Sequence, residues 1–218
     1  MTQGRRPPAA SSGGAATRLY AARGRVFVIS SPSGGGKTTV VNRLCRRMPR
    51  LVRSVSVTTR PARRDERRGR EYQFVSPATF GRLRRSGQLL EWAKVHGASY
   101  GTPKRPILQA LARGRDVLLS IDVQGARQVQ RRLGTRAVLI FLLPPSLQEL
   151  RRRLTGRRTD TASSIRRRLA AAKRELSCAA WYDNTVVNDR LRDTVARVGA
   201  VITARRRDAG HNERGRGE

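Results

Sequence analysis

Residues 30–39 read SSPSGGGKTT, and these residue types suit the binding of a phosphate chain. The general pattern is a glycine, four residues, then Gly-Lys-Ser/Thr, and Gly36, Lys37 and Thr38 match its end. Backbone N–H groups from Ser33 through Thr38 can converge on an anion where a helix begins, and the helix dipole adds to the attraction. Gly34, Gly35 and Gly36 leave the approach free of side chains. Lys37 would reach the β- and γ-phosphates and the Thr38 hydroxyl would sit on Mg²⁺, with Ser31, Pro32 and Thr39 completing the nucleotide cradle. Ser31 stands where the pattern has its first glycine. It precedes Pro32, which drives it toward extended backbone with negative φ, so a small L-residue serves there without strain. Such a loop implies a nucleoside triphosphate and leaves the acceptor open.

The loop needs a strand before it and a helix after it, and both are legible. RVFVIS (25–30) is a short apolar, β-branched run, and KTTVVNRLCRRM repeats apolar residues at Val40, Leu44 and Met48. DVLLSI (116–121) and AVLIFLL (137–143) are near-continuous apolar runs, the pattern of strands covered on both faces, with QGARQVQRRL between them as a crossover helix. Ser146 and Glu149 form a capping box before SLQELRRRL. Ile165, Leu169, Ala172, Leu176 and Ala179 mark one face of a long helix, NTVVN (184–188) reads as a last strand, and a helix follows to about residue 204. The alternation predicts an α/β fold with a parallel sheet wrapped by helices. Residues 52–102 break this rhythm: VRSVSVTTR, REYQFV, QLLEWAKVH and SYGT read as short, mainly antiparallel strands, with one helix opened by Ser76-Pro77.

The chain of 218 residues carries a formal charge of +32, nearly all from arginine, since the lysines are Lys37, Lys94, Lys104 and Lys173. Such a field attracts polyanions, but the arginines are spread over the whole length, so the charge selects no function by itself. Cys45 and Cys178 form no C-x-x-C pair and are expected as free thiols in a reducing, cytoplasmic setting. No apolar run approaches a membrane span of ~18 residues. Residues 1–23 and 206–218 read as disordered tails around one ordered domain.

Read in order, SVSVTTRPARRDERRGREYQFV, LLEWAKVHGASYGT and SIDVQGARQV, together with the phosphate loop, resemble the guanylate kinase family over about residues 24–205. The resemblance implies a P-loop fold of three parts. These are a core (24–53, 103–144, 184–205), an inserted GMP-binding subdomain of mixed, largely antiparallel strands (54–102), and a helical lid (145–183). It also implies transfer of the γ-phosphoryl of ATP to GMP, giving ADP and GDP. By position in the family motifs, Arg60, Arg63, Tyr72 and Tyr100 hold the GMP phosphate, while Ser56, Glu91, Thr102 and Asp122 face the guanine. The chemistry agrees: guanidinium forks match phosphate oxygens, and a carboxylate at Glu91 can accept from both N1–H and the 2-amino group of guanine. Adenine offers neither donor on that edge, so a buried Glu91 would be left unpaired.

RRLTGRRTDTASSIRRRL (152–169) resembles the family's lid, which implies that Arg153, Arg157 and Arg168 close over the transferring phosphoryl, with Asn188 near the adenine. Two departures stand out. Arg158 occupies a position where the family commonly has glycine, and Ser120-Ile121-Asp122 replaces the family's Asp-Ile-Asp. The missing carboxylate would help to order Mg²⁺ through water, so a weaker Mg²⁺ dependence is expected.

Three other readings share parts of this pattern. A ribose 1,5-bisphosphate phosphokinase would keep the loop and lid but has no use for guanine-reading groups such as Ser56 and Glu91. A non-catalytic guanylate-kinase-like module would typically lose the loop glycines and lysine, which remain here. Nucleic-acid binding would use the charge, but aromatic residues make up only 5% of the chain, which leaves few platforms for base stacking.

Overall fold

The structure, a computed structural model, describes residues 24–62, 69, 71–95, 97–155 and 162–214. The expected tail 1–23, the last residues 215–218, and Arg63, Arg157 and Arg158 lie outside the described residues.

Five parallel strands form the core sheet in the order β2-β7-β1-β8-β9: β1 (Val26–Ser30), β2 (Leu51–Arg53), β7 (Asp116–Ser120), β8 (Ala137–Leu143) and β9 (Asn184–Val187). The central strand is buried along its whole length and its side chains alternate between two cores, as a period of two requires. Val26 and Val28 face a cluster with Ile107, Leu111, Val129 and Phe141. Phe27 and Ile29 face another with Val40, Leu44, Val198 and Ile202. Full burial of one such side chain is worth about 1.5–3 kcal/mol. The first cluster lies under α3 (Lys104–Ala112) and α4 (Val123–Leu133), the second under α1 (Lys37–Arg47) and α7 (Leu191–Arg214). Both faces of the sheet are therefore covered, which explains the continuous apolar runs in its strands.

A second sheet has the order β4-β3-β6-β5, from β3 (Ser56–Thr58), β4 (Tyr72–Phe74), β5 (Leu89–Val95) and β6 (Ala98–Pro103). The β3–β4 pair is parallel and the other two pairs are antiparallel. Helix α2 (Pro77–Arg85) closes its apolar face with Phe80 against Val57 and Leu89, and starts as expected, the Ser76 side chain accepting from the Thr79 amide. The run VRSVSVTTR is divided between the sheets, with Arg53 ending β2 and Ser56 beginning β3.

Helices α5 (Leu147–Thr155) and α6 (Ala162–Ser177) pack together through Leu150, Leu154, Leu169 and Ala172. The Ser146 hydroxyl accepts from the Glu149 amide at 3.0 Å, giving one half of the expected capping box. The Glu149 carboxylate turns instead to Arg152 and Arg153. Helix α7 runs to Arg214, beyond the expected end near residue 204 and into the stretch expected as a tail. Among the residues whose burial is described its last buried apolar one is Ile202, and Arg206 then pairs with Asp116 at the start of β7, so a side-chain ion pair helps to carry the helix onward. Both cysteines are free.

Candidate active site

The strand β1 delivers the phosphate loop to the C-terminal edge of the sheet, and α1 starts at Lys37 directly after it. Gly36 is the N-cap, in the left-handed region at φ 85°, and a Cβ there would come within 2.5 Å of Asn188 Nδ2. Only glycine suits that position. Asn188 in turn donates from Nδ2 to the Gly35 carbonyl at 2.7 Å, tying the end of β9 to the loop. Ser31 is buried, and Lys37 Nζ folds back to donate to its carbonyl at 2.7 Å and its hydroxyl at 3.2 Å. The serine that replaces the motif's glycine thus accepts from the loop lysine.

Helices α5 and α6 dock on the same loop. Leu150 and Leu154 pack at Gly34, and the Ser33 amide donates to Glu175 Oε2 on α6 at 3.3 Å. Burial raises the carboxyl pKa of Glu175, against the lowering effects of Lys37 and the Ser33 amide. Sequence reasoning missed this residue. Its one signal is that it is the sole acid in the 16-residue helix α6.

The second sheet supplies two facing groups. Arg60, after β3, donates from Nε to the Tyr100 hydroxyl at 3.1 Å and lies 5.5 Å from the centre of the Tyr72 ring. Tyr72 and Tyr100 meet edge to face at 5.9 Å. The guanidinium is thereby held between two phenols, a geometry suited to an anionic oxygen cluster.

Glu91 is 2% exposed, on the edge strand β5. It accepts from the Thr102 hydroxyl, which lies 3.4 Å from the Ser56 hydroxyl. An open strand edge needs partners for its backbone, and α4 provides them. Gln128 exchanges hydrogen bonds with the Trp92 backbone, and Arg132 donates to the carbonyls of Leu89 and Leu90. This clamp sets Glu91 against the start of α4, so close that a Cβ on Gly125 would lie 2.3 Å from Glu91 Oε2. Asp122 caps that helix through the Gly125 amide at 3.0 Å. Burial pushes the Glu91 carboxyl up to about 7; Thr102 opposes the shift and Asp122 adds to it.

One cleft joins these parts. Ser31, Ser33, Lys37 and Glu175 line one wall, Ser56, Tyr72, Glu91 and Tyr100 the other, and Ser120 and Asp122 the floor between them. A cation donor, loop residues at a helix start and a buried acceptor therefore open onto a single space, which suits transfer between two bound anions. A neighbouring pocket on the outer side of the loop is lined by Gly34, Gly36, Thr39, Arg152, Arg153, Asn188 and Leu191. Arg153 belongs there: it donates to Glu149 at 2.8 Å and to the Asn188 carbonyl at 3.2 Å, away from the main cleft. Arg168, half-buried on α6, is not among the residues lining either space. Thr38 is exposed at the start of α1. Among the described residues no group of three His, Cys, Asp or Glu side chains is arranged to hold a metal. No helix among them is long and apolar enough to cross a membrane.

A family model described as guanylate kinase matches residues 23–205. The chain is 51% identical over 181 residues to a guanylate kinase of Oleidesulfovibrio alaskensis, covering 83% of this chain and 87% of that one. It is 49% identical over 180 residues to a guanylate kinase of Thermobifida fusca, covering 83% and 91%. Among solved structures it is similar to a guanylate kinase from Anaplasma phagocytophilum, with a TM-score of 0.71, 36% identity, and coverage of 84% of this chain and 86% of that one.

Proposed function

The chain belongs to the guanylate kinase family, and from that premise we propose how its residues divide the work of moving a phosphoryl group. The protein is an enzyme that phosphorylates GMP with ATP, yielding ADP and GDP. The observation that carries the assignment of residues is the cleft in which Lys37 and the loop amides face Glu91, Tyr72 and Tyr100.

On the donor side, the amides of Ser33 through Thr38 receive the phosphate chain of ATP, and Lys37 leaves Ser31 to neutralise its terminal oxygens. Thr39, Asn188 and the pocket beside them take the nucleoside end. On the acceptor side, Arg60, Tyr72 and Tyr100 take the GMP phosphate, with Arg63 assigned the same role from its motif. Glu91, Ser56, Thr102 and Asp122 read the guanine. The attacking oxygen is already a phosphate anion, so no general base is required, and catalysis consists of alignment and charge neutralisation. Arg153, Arg157 and Arg168 contribute when the lid closes, and closure excludes water that would hydrolyse ATP. Arg153 takes that role only on leaving Glu149.

The donor set fits Mg²⁺ held chiefly by phosphate oxygens, since one exposed hydroxyl (Thr38) and scattered cleft carboxylates suit an ion that keeps most of its water. When bound, Mg²⁺ offsets the negative charge shared by the β- and γ-phosphates. We place the enzyme in the cytoplasm, in purine nucleotide metabolism, with residues 54–102 as the GMP-binding subdomain and 145–183 as the lid.

A coupled assay offering ATP with GMP, AMP, UMP or CMP tests this reading. Turnover with GMP is expected, Lys37→Ala should abolish it, and Glu91→Ala should mainly weaken GMP use. Preference for another acceptor, or turnover that survives Lys37→Ala, would overturn it.

A further inference from the structure

The edge of the core sheet opposite the active cleft is a dense arginine surface. Because the five strands are parallel, their N-terminal ends share one edge, and α1, α3, α4 and α7 all finish there. Arg46 and Arg47 end α1, Arg50 precedes β2, and Arg113 and Arg115 flank the turn from α3 into β7; all five are exposed. Backbone and side-chain bonds show that these segments touch. The Asp116 amide donates to the Arg50 carbonyl at 3.0 Å, the Val117 amide to the Arg25 carbonyl at 2.9 Å, and Arg115 Nη2 to the Pro49 carbonyl at 3.3 Å. Helix α7 brings Arg205, Arg206 and Arg207 to the same place, with Arg206 on Asp116.

The acids at the strand starts offset this charge only in part, since Asp183 before β9 is exposed but Asp116 is not. Asp116 is buried and engaged by Arg206 and the Arg25 amide, and Asp183 accepts from the Leu139 amide at 2.7 Å. A concavity on this edge is lined by Arg25, Arg205, Gln130 and Thr135 together with Asp183, so cationic and neutral donors there outnumber the carboxylate. The chain also enters the described structure here, at Gly24, and the 23 residues before it contain Arg5, Arg6, Arg18 and Arg23 and no acid. Arginines at helix C-termini complement the helix dipole, which accounts for Arg46 and Arg47. Arg113, the C-cap of α3, is accounted for in the same way, but Arg50, Arg115 and Arg207 are not.

We propose that this edge binds the phosphate backbone of nucleic acid, independently of the kinase site. Guanidinium forks match phosphate oxygens in a bidentate way. The exposed large apolar residues among those described, Trp92, Leu147 and Val187, lie elsewhere in the fold. The edge thus offers neither an anchor for a membrane nor a platform for bases, and it reads charge density instead of sequence. A duplex, with its higher charge density, binds more tightly than a single strand.

Fluorescence anisotropy with the full chain and a random-sequence duplex of about 20 base pairs, titrated around 150 mM salt, tests the proposal. With about five phosphates neutralised, log K should fall with log salt at a slope of about −4.5. Replacing Arg46, Arg50, Arg113 and Arg207 together by Glu should weaken binding at least ~100-fold and leave GMP phosphorylation intact. The charge-matched replacement of Arg82, Arg85, Arg105 and Arg192 should weaken it less than about fivefold. If the edge variant loses turnover through misfolding, Arg50→Gln and Arg113→Gln singly should each reduce the slope by about 0.9. Equal losses in the two quadruple variants, no binding near physiological salt, or binding to anionic vesicles in place of the duplex would each overturn the proposal.

Discussion

Glu175 on α6 and Ser33 in the phosphate loop are joined by a hydrogen bond of 3.3 Å, so a carboxyl group 142 residues away in sequence occupies one of the loop's amides. In the reading proposed above, the donor's phosphates would take that same amide. That reading links nucleotide arrival to α6.

Glu175→Gln keeps an acceptor for Ser33 but removes the charge beside the phosphate site. The variant should bind free ATP, measured calorimetrically without divalent cations, about fivefold more tightly, the effect of ~1 kcal/mol of like-charge repulsion in a solvated cleft. Unchanged affinity would mean that the carboxylate does not face the phosphate chain.

Glu91 titrates at about 7 in the folded chain, above the ordinary carboxylate range, because it is buried. A raised folded value contributes stability that is fully present below the ordinary range and lost as pH rises through about 7. Glu91→Gln should therefore raise Tm relative to the parent at pH 8 and not near pH 4. In the proposed reading guanine pairs with the ionised form, so GMP affinity should improve as pH rises through about 7 in the parent. The Gln variant should lose that pH dependence and ~100-fold in kcat/KM for GMP.

Gly125→Ala makes a sharper test of the same seat. A helical alanine is intrinsically better than glycine by about 1 kcal/mol, yet its Cβ would meet Glu91 Oε2 at 2.3 Å and Asp122 Oδ1 at 3.3 Å. Steady-state kinetics should show KM for GMP raised at least ~10-fold, KM for ATP unchanged, and no loss of Tm.

Ser120 lines the cleft together with Glu175 and Asp122, and the family resemblance implies a carboxylate in its place. Ser120→Asp should lower the Mg²⁺ concentration needed for half-maximal turnover and tighten Mg²⁺-dependent ATP binding seen by calorimetry. An unchanged magnesium titration would remove the idea that this serine weakens metal dependence.

The phosphate loop was legible because its chemistry is local: strand, turn and helix start lie within about fifteen residues, and each leaves its own signature. Both layers of the core sheet were legible for a similar reason, since strands covered on two faces read as unbroken apolar runs. The division of VRSVSVTTR between two sheets was not, because its residues alternate smoothly and only pairing partners reveal the switch. The extra turns of α7 escaped notice because an ion pair to Asp116, 90 residues away in sequence, holds them. Gly125 left a faint trace, a glycine inside an otherwise good helix pattern, but its reason lies on β5.

By itself the sequence determined that a glycine loop suited to a phosphate chain opens a helix and that a parallel sheet carries it, since both follow from residue spacing within short stretches of chain. Only the tertiary structure decided which acids share that space. Glu91 becomes a buried, weakened acid because α4 clamps an edge strand over the floor of the cleft, and Glu175 meets Ser33 because α5 and α6 pack on the loop. Charge and pKa depend on distance and solvent exclusion, and neither exists until distant segments are brought together.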